Sequence, residues 1–289
     1  MPIVRKSQWI VTGILIALPM ALAAAQPPNV KDPISLAQNQ ITSYLSNLAD
    51  LHCTESVTQE KLAENGHIEV AERAKYDYLI MISGSGDEIQ LNESRIESPA
   101  DRHKRTPAPM LVSNGMSTVL LVFHPYYRDS FTFVAGPEEA VEGRVAIPVH
   151  FSHIPGRRTP AALALRGREF PLELQGTAWL DKESGDVVRI DATLLRDMSD
   201  VGLRTMNVHV EYKTADLGKT LRNLSLPTVA VVEVTTPRQH WRNTHVFDGY
   251  KSFSTDAEQD PNVKIRAANS AAAGSDTAAV QPMDNKEKP

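Results

Sequence analysis

The spacing of apolar residues changes close to residue 50 of this chain. Before that point Ile34, Ala37, Ile41, Leu45 and Leu48 recur at steps of three and four, with Gln, Asn and Ser between them. Such steps place the apolar set on one stripe of a helix. Asp32 is a good N-cap, and Pro33 takes the first helical position, where a missing N–H costs nothing. The pattern predicts a helix over 33–50. Beyond it the period becomes two. In "LHCTESVTQEKL" Leu51, Cys53 and Val57 share a face, although Glu55 interrupts the set. "YDYLIMIS" and "IQLNESRIE" read as the next strands, joined by the Gly-rich turn "GSGDE".

"LVSNGMSTVLLVFHPYY" fits two readings. Val112, Met116, Val119, Leu120 and Phe123 match helical spacing with Pro125 as a stop, and the same Val/Leu run also suits a buried strand. The helical reading is favoured. From Ser130 onward nearly everything reads as strand, over 130–135, 144–151, 172–181, 187–195, 203–213, 228–236 and 243–253. Alternation is clearest in "RTMNVHVEY", where Met206, Val208, Val210 and Tyr212 face one way and Thr205, Asn207, His209 and Glu211 the other. An antiparallel sheet with one core face and one wet face writes this pattern.

The hairpin "LQGTAWLDKESGDVVRIDATLL" fixes a register. Leu174, Ala178 and Leu180 share parity on its first strand, and Val188, Ile190, Ala192 and Leu194 on its second. Both sets lie on one face if the turn is Lys182 to Asp186, with Gly185 free to take positive φ. Trp179 then falls opposite Arg189 on the other face, within reach of a cation–π contact. The apolar face needs a cover, and two helices are on offer.

The ends of the chain subtract from its 289 residues. Residues 1–25 read as a secretory signal: Arg5 and Lys6, an apolar core from Trp9 to Leu22, then Ala23-Ala24-Ala25. Its apolar run is about 17 residues and contains Pro19, marginal for a membrane span, so an uncleaved anchor is the alternative. The stretch 256–289 is rich in Ala, Ser, Asp, Asn and Pro without apolar period and reads as a disordered tail. Residues 26–255 make one domain. The formal charge of −5, or −7 without Arg5 and Lys6, gives no basic excess for nucleic acid. A single Cys53 forms no internal disulfide, so an exported fold depends on its core. "PADRHKRTPAP", over 99–109, reads as a basic surface loop.

An exported chain with an opening amphipathic helix and a long sheet containing "GTAWLDKESGDVVRIDA", "VHVEYK", "LPTVAVVEV" and "THVFDGYKSF" resembles a known superfamily. It looks like the periplasmic lipoprotein-sorting carriers (LolA/LolB-like), and is also similar to the N-terminal domain of the periplasmic sensor regulating the envelope-stress sigma factor. The resemblance implies an α+β fold: a strongly curved antiparallel sheet, an incomplete β-barrel, with about two helices covering its concave face. It further implies a cavity for acyl chains.

Catalytic and metal chemistry find little support. His150 and His153 are three apart and His240 and His245 five apart, odd separations that put each pair on opposite faces of a regular strand. Gly84-Ser85-Gly86 lacks a nucleophile-elbow pattern, and Cys53 has no identifiable His partner. The sequence therefore predicts no catalytic residue, metal or cofactor. It predicts a periplasmic binding protein for lipid or lipoprotein acyl chains, with Ile190, Met206, Val208, Val210, Val232 and Val234 lining the cavity. The alternative is an envelope sensor or interaction module docking onto a membrane-anchored partner. Trp179, Arg189, Arg238, His240, Trp241 and Arg242 are candidates for a rim or docking point.

Overall fold

The computed structural model describes residues 32–83, 89–97, 111, 113, 116–165, 167–217 and 221–253. The proposed signal, the "GSGDE" turn, the basic loop and the tail lie outside the described residues.

Helix α1 (Pro33–Ala49) starts where its cap demands: the Asp32 carboxylate accepts from the backbone N–H of Ile34 and Ser35 at 3.3 and 3.1 Å. Its Ala37, Ile41, Leu45 and Leu48 are buried, as their spacing predicts. The second apolar run forms a 3-10 helix, Met116–Phe123, in place of the α-helix its spacing suggests. His124 separates it from a single turn, α2 (Pro125–Arg128), and its side chain caps that turn. Val119 through Phe123 are all at most 3% exposed. A five-residue apolar run of this kind belongs inside a core, and this one is inside.

The strands are β1 (Leu51–Leu62), β2 (Ile68–Ser83), β3 (Gln90–Glu97), β4 (Phe131–Ala135), β5 (Glu139–Val141), β6 (Arg144–His153), β7 (Ala162–Leu165) and β8 (Arg168–Pro171). There follow β9 (Leu174–Asp181), β10 (Val187–Leu194), β11 (Thr205–Leu217), β12 (Leu221–Thr235) and β13 (His240–Ser252). Eleven form one antiparallel sheet in the order β3-β2-β1-β13-β12-β11-β10-β9-β6-β4, with β5 also paired to β6. The sheet is not closed into a barrel: among the described residues β3 and β4 form its two ends. β7 and β8 form a separate two-stranded hairpin.

One face of the sheet carries the core. Helix α1 packs against β1, β2, β4, β9 and the 3-10 helix, and the 3-10 helix against β10, β11 and β12. The β9–β10 hairpin has the expected five-residue turn, with Gly185 at φ +76°. A Cβ there would meet the Leu36 Cβ at 2.6 Å, so the turn presses directly on α1. Ala178 pairs Ile190 and Trp179 pairs Arg189, as parity requires. A register shift between Val187 and Arg189 corrects the rest: Val187 pairs Leu180, and Val188 buries against Val141, Ala146 and Trp179 instead of joining Ile190. Gly176 completes the hairpin. The Phe151 ring lies across it, and an added Cβ would come within 2.1 Å of the Asp191 carbonyl.

Candidate functional site

The six apolar candidates form one patch on the core face. Ile190 pairs Val210, Met206 pairs Val234, and Val208 pairs Val232, on strands beneath the 3-10 helix. All six are buried. A small cavity of about 20 Å³ lies between α1, the 3-10 helix and β10–β12, lined by Ile41, Tyr44, Leu120, Phe123, Val187 and Tyr212 among others. The six candidates are not in its lining. That volume holds roughly one water. The Tyr44 hydroxyl on its wall is buried without a partner among the described residues. Burial, with the Asp186 carboxylate adding to it, pushes the Tyr44 phenol well above its ordinary range, so the group stays a neutral hydroxyl.

Next to this apolar patch the same face holds a polar inlay. Glu55, at core parity on β1, is fully buried. It accepts from Arg95 Nε at 2.5 Å, Arg95 Nη2 at 2.7 Å and His245 Nδ1 at 2.8 Å. On its far side His245 Nε2 meets Ser113 Oγ at 2.8 Å. Asn243 Nδ2 donates to Ser113 Oγ at 2.9 Å and to the Leu111 carbonyl at 2.8 Å, which also accepts from Gln59 Nε2 at 2.5 Å. Burial alone would raise Glu55; the hydrogen bonds and charges of Arg95 and His245 outweigh it and hold the carboxyl below its ordinary value. Sequence reasoning missed this cluster. Two signals for it were present: Glu55 breaking an apolar face, and His245 sharing core parity with Phe247 on β13.

The outer face is polar. The Arg189 guanidinium lies 3.6 Å from the centroid of the Trp179 ring, and Trp179 Nε1 donates to Glu139. His209 sits between Asp191 (Nδ1 to Oδ1, 2.5 Å) and Glu211 (Nε2 to Oε1, 3.2 Å). Burial would lower His209, but these two carboxylates raise it above its ordinary value. His240 pairs with Glu233 at 2.7 Å and Arg242 with Glu60 at 2.8 Å. Trp241 pairs Val234 in register, on the opposite face from those two, and Arg238 is exposed in the turn before β13. The rim candidates therefore divide between two faces. An open groove of about 480 Å³ runs along the outer face past Thr177, Trp179, Asp191, His209 and Glu233.

Both His pairs separate as parity predicts: His150 is exposed and His153 buried, while His240 is half-buried on the outer face and His245 buried on the core face. Among the described residues no three His, Cys, Asp or Glu side chains cluster to hold a metal ion. No helix among them is long and apolar enough to cross a membrane.

No protein-family profile matches the sequence, and no curated protein matches it. Solved structures do. A DUF1329 family protein from Desulfovibrio piger is 10% identical with TM-score 0.38, over 76% of this chain and 93% of that one. A putative outer membrane lipoprotein-sorting protein domain from Vibrio parahaemolyticus is 9% identical with TM-score 0.40, over 81% and 97%. A LolA superfamily protein from Nitrosomonas europaea is 10% identical with TM-score 0.33, over 73% and 92%.

Proposed function

We propose that this protein is an exported, periplasmic binding protein for acyl chains of lipids or lipoproteins, with residues 26–255 as the binding domain. One observation carries the reading: the apolar face of the sheet is covered by a short 3-10 helix, Met116–Phe123, whose Val119–Phe123 run is apolar and buried, with a small cavity beside it. On this reading the sheet curls around α1 and the 3-10 helix. The packing of α1 against both β1–β2 and β4–β9, strands well apart in the sheet order, supports that curvature. An acyl chain then enters beside Leu120 and Phe123, displaces the 3-10 helix and spreads over Ile190, Met206, Val208, Val210, Val232 and Val234. Burying an apolar chain on such a face is favourable by about 0.8 kcal/mol per methylene. Binding needs no cofactor and breaks no bond. Native mass spectrometry of protein purified from its own envelope tests this: a lipid-sized mass increment is expected, and protein that is uniformly free of lipid overturns it.

The outer-face groove beside Trp179 and Arg189 favours a second reading, an interaction module docking onto a membrane-anchored partner. Crosslinking from Thr193 or Asn207 within the envelope should then recover one specific membrane protein. A diffuse set of lipoproteins favours the carrier.

A further inference from the structure

The polar inlay orders its groups in a way that structural support does not require. Ser113 Oγ, His245 Nε2, His245 Nδ1 and Glu55 Oε1 form one hydrogen-bonded line with 2.8 Å at each junction. His245 and Glu55 are 1% and 0% exposed, so the Nδ1–carboxylate bond is shielded from water, while Nε2 faces the half-buried Ser113. Arg95 fixes the carboxylate, and Asn243 fixes the serine oxygen from the side. Ser113, only half-buried, is the outermost member. Beside it Leu111 packs on the core, while Val57 and Phe247 flank His245 along β1 and β13.

We propose that Ser113 is an activated nucleophile toward carboxylic esters carrying an apolar acyl group, with His245 as its general base and Glu55 as the residue that positions the imidazole. The roles follow from the atoms. Glu55 accepts the Nδ1 proton, which leaves Nε2 as the unprotonated nitrogen facing the hydroxyl. Ser113 Oγ forms a bond to the ester carbonyl carbon as its proton passes to His245 Nε2. The alkoxide leaves with that proton as the alcohol, and water, deprotonated by the same nitrogen, releases the acid and restores Ser113. The proton charge gained by His245 is stabilised by the carboxylate behind it. Asn243 Nδ2 donates to the same serine oxygen at 2.9 Å, which leaves the hydroxyl proton directed at the imidazole. This site is independent of the acyl-chain reading, since it uses none of the residues of the apolar patch.

The test is covalent labelling of the full mature chain with an alkyl fluorophosphonate, in which an Oγ–P bond forms and fluoride leaves. The expected result is one adduct per chain, mapped to Ser113, absent in Ser113→Ala and slowed about 10²-fold or more in His245→Ala. Circular dichroism accompanies each variant, and Glu55→Gln provides a second, positioning variant if His245→Ala fails to fold. A purely supporting network changes stability and labels nothing. Wild-type protein that labels no faster than Ser113→Ala, or labels at another residue, overturns the proposal. Lipid found by native mass spectrometry without labelling leaves the binding function standing and removes only this site.

Discussion

His245 on β13 donates through Nδ1 to Glu55 on β1 at 2.8 Å, diagonally across paired strands, with both side chains sealed from water. Arg95 completes the neutralisation from β3, two strands along from β1. Removing one partner of such a buried pair is costly, by about 3–5 kcal/mol, because the other loses the charge that offset its desolvation. Arg95 then keeps the longer 3.2 Å pair with Glu93. Glu55→Ala should therefore lower the urea midpoint strongly, and Glu55→Gln, which keeps an accepting oxygen for Arg95 and His245, should lower it less.

The same pair sets an acid limit. Glu55 is held below its ordinary value, so its contribution is fully present above the unfolded glutamate value, about 4.3, and is lost as pH falls through the lower folded-state value. Melting temperature should fall steeply below about pH 4. In Glu55→Gln, measured on the same buffers, that part of the slope should disappear.

His209 works with the opposite sign. Asp191 and Glu211 raise it, so its contribution is complete below about pH 6.5 and is lost as pH rises through the higher folded-state value. His209→Ala should cost stability at pH 5 and little at pH 9, and added salt should shrink the difference, since the pair is partly exposed.

Gly185 is a steric hinge between turn and helix. Its φ of +76° and the 2.6 Å approach of an added Cβ to Leu36 both penalise a side chain. Gly185→Ala should destabilise by about 1–3 kcal/mol in chemical denaturation, above the cost of a left-handed residue alone.

Cys53 is expected to be inert. Burial, with Glu55, Asp248 and Asp77 adding to it, pushes its thiol up to about 12 despite a hydrogen bond with Tyr250. Native protein at pH 8 should resist iodoacetamide and react only on unfolding.

Much of this fold was legible in the sequence because parity and caps are local. Asp32, Pro33 and the Ile41/Leu45/Leu48 stripe specify α1, and the even sum of Trp179 and Arg189 specifies their contact. Val188 was misplaced because a bulge adds one residue on one strand only, and nothing in "GDVVRID" marks where. The helical type of Met116–Phe123 is set by the enclosing core, which spacing does not encode. The polar inlay was hidden for a different reason. Glu55, Arg95, Ser113 and His245 meet only once β3, β2, β1 and β13 are ordered side by side, and that order is a property of the whole sheet.

The central claim is that the apolar face beneath the 3-10 helix accepts an acyl chain, and a titration with a fluorescent fatty-acid probe tests it most directly. Phe123, fully buried on the cavity wall, is the residue to cut back. Phe123→Ala should lose about 3–5 kcal/mol of stability while opening space for the chain. Saturable probe binding to the wild type is expected, with tighter binding to Phe123→Ala. Absence of saturable binding in both folded proteins would contradict the claim.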